Sequence, residues 1–289
     1  MRMQPEKIMS NRSLGAILSD SGKLSATDVE KILKLQKSEP IRFGDAGIKL
    51  GLLSPLDVQH ALASQYDYPY LAQGDNAVSD TLVAAYNPFG VQAESLRTLR
   101  TLLMLKSFTG HPSKKRLAIV SPNRGEGRSF LAANLAIVFS QLGERTLLID
   151  ADLRNPSQHQ LFKLDNSHGL STILAGRDDL STIQRKKNFT DLSILTAGPT
   201  PPNPQELLGK PAFVDLLHSL NDIFDVILID TSPSAEFADA QMVSVRAGSA
   251  MMLARKNFSS IDLVRQQVQK MTQSGIDVVG TTLSEFRTA

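Results

Sequence analysis

The apolar run Leu117–Val120 leads directly into Ser121-Pro122-Asn123-Arg124-Gly125-Glu126-Gly127-Arg128-Ser129, and then into the helical pattern FLAANLAIVFSQLG. A strand, a glycine-rich loop and a helix in that order form the setting of a phosphate-binding loop. Such a loop sits at the carboxyl edge of a parallel sheet, so it constrains the rest of the chain strongly. The usual pattern G-x-x-x-x-G-K-[ST] is met in part. Gly127 and Ser129 fit, Pro122 stands at the first glycine and Arg128 at the lysine. Gly125 and Gly127 let backbone approach phosphate closely, and the helix start after Ser129 favours negative charge. Arg128 keeps the lysine's charge in a bulkier, forked form. Taken alone, these residues also suit an ordinary glycine-rich strand-to-helix turn.

The loop is not alone. Apolar runs at 145–150, 192–195, 225–230, 250–254 and 278–283 alternate with helical patterns near 129–142, 168–176, 205–222, 237–246 and 260–274. That alternation predicts a mostly parallel sheet with helices on both faces, the α/β fold of a P-loop NTPase. Asp150, Asp152 and Arg154 end one strand and Asp230 ends another. On one sheet edge with a P-loop, three carboxylates suit Mg²⁺ and activation of an attacking hydroxyl. Strand-end aspartates also serve as helix caps.

An internal repeat precedes this region. Leu14-Gly15 recurs as Phe43-Gly44, Gly22 as Gly51, Leu24-Ser25 as Leu53-Ser54, Asp28 as Asp57, Leu33 as Leu62 and Gln36 as Gln65, all offset by 29. Each copy reads as a short helix, a glycine turn and a Ser-capped helix, with Asp completing the cap. Residues 12–72 are therefore expected to form a small helical domain of two 29-residue repeats. Residues 73–90 read as a linker with a short helix near 79–86, and 91–289 as the ATP-binding domain. Leu96, Leu99, Leu103 and Met104 share one face of a helix, which leaves Glu94, Arg97 and Arg100 on an exposed side.

Composition narrows the function classes. Lys+Arg 31 against Asp+Glu 29 leaves +2, which argues against a nucleic-acid coat. No cysteine is present, so disulfides, thiolate metal sites and cysteine nucleophiles are excluded. No run of about 18 apolar residues occurs, and the start carries no secretory pattern, so a cytoplasmic protein without its own membrane span is expected.

With these motifs in place, residues 90–286 resemble the bacterial tyrosine kinases that accompany exopolysaccharide chain-length determinant proteins. Gly125–Ser129 resembles the family's Walker A motif, 147–156 its second Walker A-like motif, and 227–233 its Walker B. Gly198-Pro-Thr-Pro-Pro-Asn-Pro-Gln-Glu-Leu-Leu208 resembles its most specific stretch, and Glu94-x-x-Arg97-x-x-Arg100 its self-association helix. The resemblance implies ATP held by Arg124, Gly125, Glu126, Gly127, Arg128, Ser129 and Phe130. It implies Mg²⁺ at Ser129, Asp150 and Asp230, catalysis by Arg128, Asp150 and Asp152, and a homo-oligomer. It also implies a membrane-spanning chain-length determinant protein as partner, which would place the chain at the inner membrane. Departures from the family pattern are Arg128, Ser284 where relatives often have Asn, and a final segment without tyrosine; the four tyrosines are Tyr66, Tyr68, Tyr70 and Tyr86. A non-catalytic ATP-gated switch and a partition-type ATPase, whose signature lysine would fall at Asn123, are the alternatives. Residues 12–72 resemble the N-terminal domain of type II secretion ATPases. Some of these bind cyclic di-GMP, and the matching positions here are Arg12, Arg42, Gly44, Gly51 and Gln65. A protein-docking role is the other reading. The Tyr66-x-Tyr68-x-Tyr70 run reads as a strand-like packing element, or as a substitute phosphoacceptor.

Overall fold

The structure is a computed structural model that describes residues 12–66, 68–72, 74–108 and 115–285. The amino-terminal stretch 1–11 and the tail 286–289, on which the leader and tail-tyrosine expectations partly rest, lie outside the described residues. The chain divides into two compact units, one ending at Tyr70 and one beginning at Leu71.

Among the described residues, the first unit holds four helices: α1 (Leu14–Asp20), α2 (Ala26–Ser38), α3 (Phe43–Lys49) and α4 (Pro55–Gln65). The repeat is visible in its hydrogen bonds. Ser25 caps α2 by accepting from Asp28 N at 3.2 Å while Asp28 accepts from Ser25 N at 3.3 Å. Ser54 and Asp57 do the same for α4, at 3.2 and 3.0 Å. Gln36 Nε2 donates to the Ile41 carbonyl, and Gln65 Nε2 to the Arg12 carbonyl. Positions 41 and 12 are themselves 29 apart, so each repeat's glutamine holds the chain entering the other repeat. Gly15 lies against the Phe43 ring, and a Cβ on Gly44 would meet Val58 Cγ1 at 2.6 Å. These glycines are set by helix packing. Leu18, Leu24, Ile32, Ala46, Leu53 and Ala61 form the core. The tyrosine run is not a strand: Tyr66 caps the end of α4 and residues 68–72 form no ladder.

The second unit opens with α5 (Val83–Tyr86) and α6 (Val91–Lys106), then β1 (Arg116–Val120), α7 (Arg128–Ser140) and β2 (Thr146–Asp150). There follow α8 (Gln158–Leu161), α9 (Leu170–Leu174), β3 (Gln184–Arg185), β4 (Leu192–Leu195), α10 (Pro204–Gly209) and α11 (Pro211–Asn221). It closes with β5 (Val226–Asp230), α12 (Asp239–Ala247), β6 (Ser249–Arg255), α13 (Ile261–Gln273) and β7 (Asp277–Ser284). The sheet order is β3-β4-β2-β5-β1-β6-β7, parallel except for the two-residue β3. The β6–β7 register slips between Ala250 and Met251, opposite the Val278–Gly280 stretch. The central strands are buried on both faces because each face has its own core. One core joins Leu117, Ile119, Leu148 and Leu228 to α5, α6 and α7. The other joins Ala118, Val120, Leu147 and Ile229 to Leu208, Phe213, Val243 and Met271.

Three sequence expectations change here. Residues 74–90 of the expected linker pack as part of the second unit. Val78, Leu82, Ala84 and Ala85 are buried in the second unit, Ala84 N donates to Asn134 Oδ1 at 2.9 Å, and Gln141 Nε2 donates to the Ala84 carbonyl at 3.0 Å. Two polar side chains, Asn134 within α7 and Gln141 at its C-terminal cap, thus satisfy the α5 backbone, a long-range cause that local composition does not carry. The helix expected at 205–222 is two helices. Pro211 cannot donate, and it forces Lys210 to an extended φ −62°, ψ 147°. Finally, Arg97 and Arg100 do not share an exposed side with Glu94. Arg97 bonds both Glu94 (2.7 Å) and the Pro88 carbonyl, and Arg100 Nη1 turns in to the Val138 carbonyl at 2.7 Å.

Candidate functional site

The loop between β1 and α7 turns at Gly125 (φ +75°) and Gly127 (φ +95°), where a side chain is disfavoured. Its shape is fixed from behind by side chains. Glu126 is fully buried and accepts from Asn123 N (2.7 Å), Asn123 Nδ2 (3.0 Å) and Ser259 Oγ (2.5 Å). Arg255 Nη1 donates to the Gly125 carbonyl at 3.0 Å, and Ser284 Oγ to the Glu126 carbonyl at 3.2 Å. Arg128 is nearly as buried. Its Nε donates to the Thr231 carbonyl (2.8 Å), and its Nη1 to Ser121 Oγ (2.5 Å) and the Asn123 carbonyl (2.8 Å). Arg124 lies outside, paired with Glu236 at 3.1 Å.

Asp150 and Asp230 end adjacent strands in register, at a strand spacing of about 4.8 Å. Both are fully buried. Burial and the neighbouring Asp230 charge push the Asp150 carboxyl well above the ordinary carboxylate range. Burial likewise pushes Asp230 up to about 6, against the pull of Arg128 and of hydrogen bonds from Ser129 and Gln158. Asp150 accepts backbone N–H bonds from Asp152 (3.2 Å), Ser157 (3.0 Å) and Gln158 (2.9 Å). Asp230 Oδ2 accepts from Gln158 Nε2 at 2.8 Å, whereas its Oδ1 is buried without a partner. Asp152 is raised by burial too, less strongly held up because the Asn155 N–H and Arg128 oppose it. An orphaned carboxylate oxygen beside a second buried carboxylate and the Ser129 hydroxyl is an oxygen donor set that fits Mg²⁺.

Beside Gly127, Phe130 and Leu131 opens a cavity of about 650 Å³, lined further by Leu253, Thr282 and Ser284 and by Thr81 and Val83. That is room for a nucleoside. The structure therefore brings together the span 125–129, Asp150, Asp152 and Asp230. It keeps Arg124 at the rim, and it turns Glu126 and the Arg128 donors named above toward protein. Of the N-terminal candidates, Arg12 pairs with Asp20 at 3.3 Å, Arg42 is exposed, Gly51 makes a turn, and Gly44 and Gln65 pack as described.

Comparison with known proteins decides the family. Residues 114–272 match the AAA domain family. Tyrosine-protein kinase wzc of Salmonella typhimurium is 35% identical over 209 residues, 72% of this chain and 29% of that protein. CapB of Staphylococcus aureus is 32% identical over 199 residues, 69% of this chain and 86% of CapB. The chain belongs to the bacterial tyrosine kinases. The solved kinase domain of Escherichia coli tyrosine kinase ETK superimposes with a TM-score of 0.67 at 33% identity, covering 72% of this chain and 82% of that one. The chain spans less than a third of the Salmonella relative.

Within this family frame, four site residues escaped sequence reading. Gln158 touches Asp150 and Asp230; Ser259 bonds Glu126; Thr231 bonds Arg128; and Asp239 grips Arg154 through two bonds of 2.6 and 3.2 Å, with the guanidinium 4.1 Å from the Phe237 ring centre. Only Thr231 lies within a motif. The others are single polar residues whose partners are distant in sequence.

Proposed function

We propose that the second unit transfers the γ-phosphoryl group of ATP to a tyrosine hydroxyl, as a regulator of exopolysaccharide chain length, polymerisation and export. The observation that carries this is the pair of buried carboxylates, Asp150 and Asp230, at the mouth of the P-loop. Backbone amides of 125–129 would cradle the phosphates, and the nucleoside would enter the cavity beside Phe130. Ser129, Asp150 and Asp230 would hold Mg²⁺, which neutralises charge on the transferred group. A phenolic oxygen forms the new bond to Pγ as the bond to the β-phosphate oxygen breaks. ADP leaves, and the phenolic proton passes to the Asp150–Asp152 carboxylates, whose affinity for protons is raised by burial.

Among the four tyrosines, the most exposed candidate acceptor is Tyr66, at 70% exposure. The Tyr86 hydroxyl donates to the Asp75 and Val78 carbonyls, the Tyr70 hydroxyl to the His60 carbonyl, and Tyr68 is half-buried. No helix among the described residues is long and apolar enough to cross a membrane. The family resemblance supports a membrane-spanning chain-length protein as partner and work at the inner membrane as a homo-oligomer. In the N-terminal unit, the packing of Gly44 and Gln65 favours protein docking over cyclic di-GMP binding.

The burial of Arg128 against the loop favours a second reading, an ATP-gated switch without transfer. Incubation with radiolabelled ATP·Mg²⁺, with and without the partner's cytoplasmic tail, separates the readings. Label on protein, lost in Asp150→Ala, supports the kinase. Free phosphate alone supports a partition-type ATPase, and bound ATP with neither product supports the switch. Label that persists in Tyr66→Phe moves the acceptor elsewhere.

A further inference from the structure

Gln158 belongs to none of the motifs that define the site, yet it is fully buried at its centre. Its backbone N–H holds Asp150 Oδ2 at 2.9 Å. Its side-chain Nε2 donates both to Asp230 Oδ2 at 2.8 Å and to the Ser129 carbonyl at 3.1 Å. One residue thus joins both strand-end carboxylates to the first turn of α7. The other end of the same amide, Oε1, is buried and has no partner, as is Asp230 Oδ1. A buried acceptor costs free energy unless something donates to it, so two such atoms in one site point to a ligand that brings its own donors or a cation.

We propose that Gln158 is a positioning residue for magnesium-bound nucleotide. Through Nε2 it fixes the Asp230 carboxylate so that Oδ1 is presented to the ion. Through Oε1 it accepts a hydrogen bond from a water on that ion. This rests on the reading of the site as an ATP·Mg²⁺ site and assigns part of its metal preference to a residue outside the Walker motifs. The amide suits both tasks because it offers a donor and an acceptor with no charge. Glutamate would place a third carboxylate beside two that already resist ionisation together.

The test is binding, not turnover. A fluorescent ATP analogue is titrated into the full chain, once in EDTA and once in Mg²⁺. Gln158→Met keeps the volume and removes both polar ends. Gln158→Glu keeps the shape and adds charge. Thermal melts establish that each variant is folded, and Gln160→Met, on the exposed face of the same turn, is the control. Wild type is expected to bind more tightly in Mg²⁺. Gln158→Met is expected to bind as wild type does in EDTA but to lose about tenfold or more of the Mg²⁺-dependent gain, as fits a lost hydrogen bond to a charged group. Gln158→Glu is expected to bind more weakly in EDTA and to depend more steeply on Mg²⁺. Opposite movements in the two variants cannot arise from a loosened turn. The proposal is overturned if Gln158→Met retains the full Mg²⁺ gain, or if both variants lose affinity equally with and without the ion. If wild type binds no nucleotide under either condition, the ATP-site reading itself fails, and this inference with it.

Discussion

Arg128 Nε donates to the Thr231 carbonyl at 2.8 Å, so the residue at the P-loop's lysine position ties that loop to the end of β5. Two further bonds, to Ser121 and Asn123, make the guanidinium a three-point brace. Arg128→Met removes these donors and leaves buried oxygens unpaired. A loss of about 2–4 kcal/mol is expected, seen in a thermal melt as a fall of roughly 5–15 °C. Arg128→Lys, which has one nitrogen where arginine has three, is expected to fall between the two. A melt unchanged in Arg128→Met would mean that the brace contributes nothing.

The carboxylate pair makes stability depend on pH in an unusual direction. A carboxyl raised in the folded state binds its proton more tightly there than in the unfolded chain. Its contribution is therefore most favourable below the ordinary aspartate range and is lost as pH rises toward about 6 for Asp230. The gap from the ordinary value of 3.8 corresponds to about 3 kcal/mol. Without nucleotide and Mg²⁺, Asp230→Asn is expected to stabilise the protein above pH 7 by up to that order and to flatten the pH 4–7 profile. Melts across that range check it; a less stable Asp230→Asn at pH 7.5 would refute the assigned cost.

Gly127 is the N-cap residue of α7, at φ +95°. Gly127→Ala forces a side chain into the left-handed region, at about 1–2 kcal/mol. Either the melt drops by that amount or the loop rearranges, and in both cases nucleotide affinity is expected to fall. Full affinity in Gly127→Ala would show that phosphate does not lie against this turn.

The two Ser–Asp caps of the N-terminal unit offer a symmetric test. Ser54→Ala and Ser25→Ala are each expected to cost about 1 kcal/mol. Asp57 also pairs with Lys23 at 2.8 Å, and that contact together with Ser54 holds its carboxyl down at about 2. Because its folded value is depressed, this contribution is present above the ordinary aspartate range and fades only as pH falls toward about 2. Denaturation at pH 7 and pH 3 should show the Ser54→Ala cost shrinking at the lower value.

What was legible in sequence was whatever leaves a local pattern. The central strands β1, β2 and β5 are largely apolar runs, and the loop, Asp150 and Asp230 stand at their ends in the expected phase. The serine caps sit three residues before their aspartates. What was not legible depends on contacts made far along the chain. Gln158 looks like any surface glutamine until Asp230, distant in sequence, is folded against it. The 73–90 stretch has a linker's composition, and only Asn134 and Gln141 show why it docks. Arg97 and Arg100 fit an exposed face by helical spacing alone, yet their length lets them reach backbone carbonyls below.

The two rims of the sheet limit how copies of this chain can meet. On one side the terminal strand is β3, a two-residue antiparallel stub. On the other it is β7, whose register is broken by the slip beside Gly280. The first is too short to continue, and the second is interrupted by an irregularity near its start. Long, regular rims invite strand-by-strand polymerisation, and short or irregular rims discourage it. Both rims therefore disfavour growth of this sheet into a ribbon of joined copies.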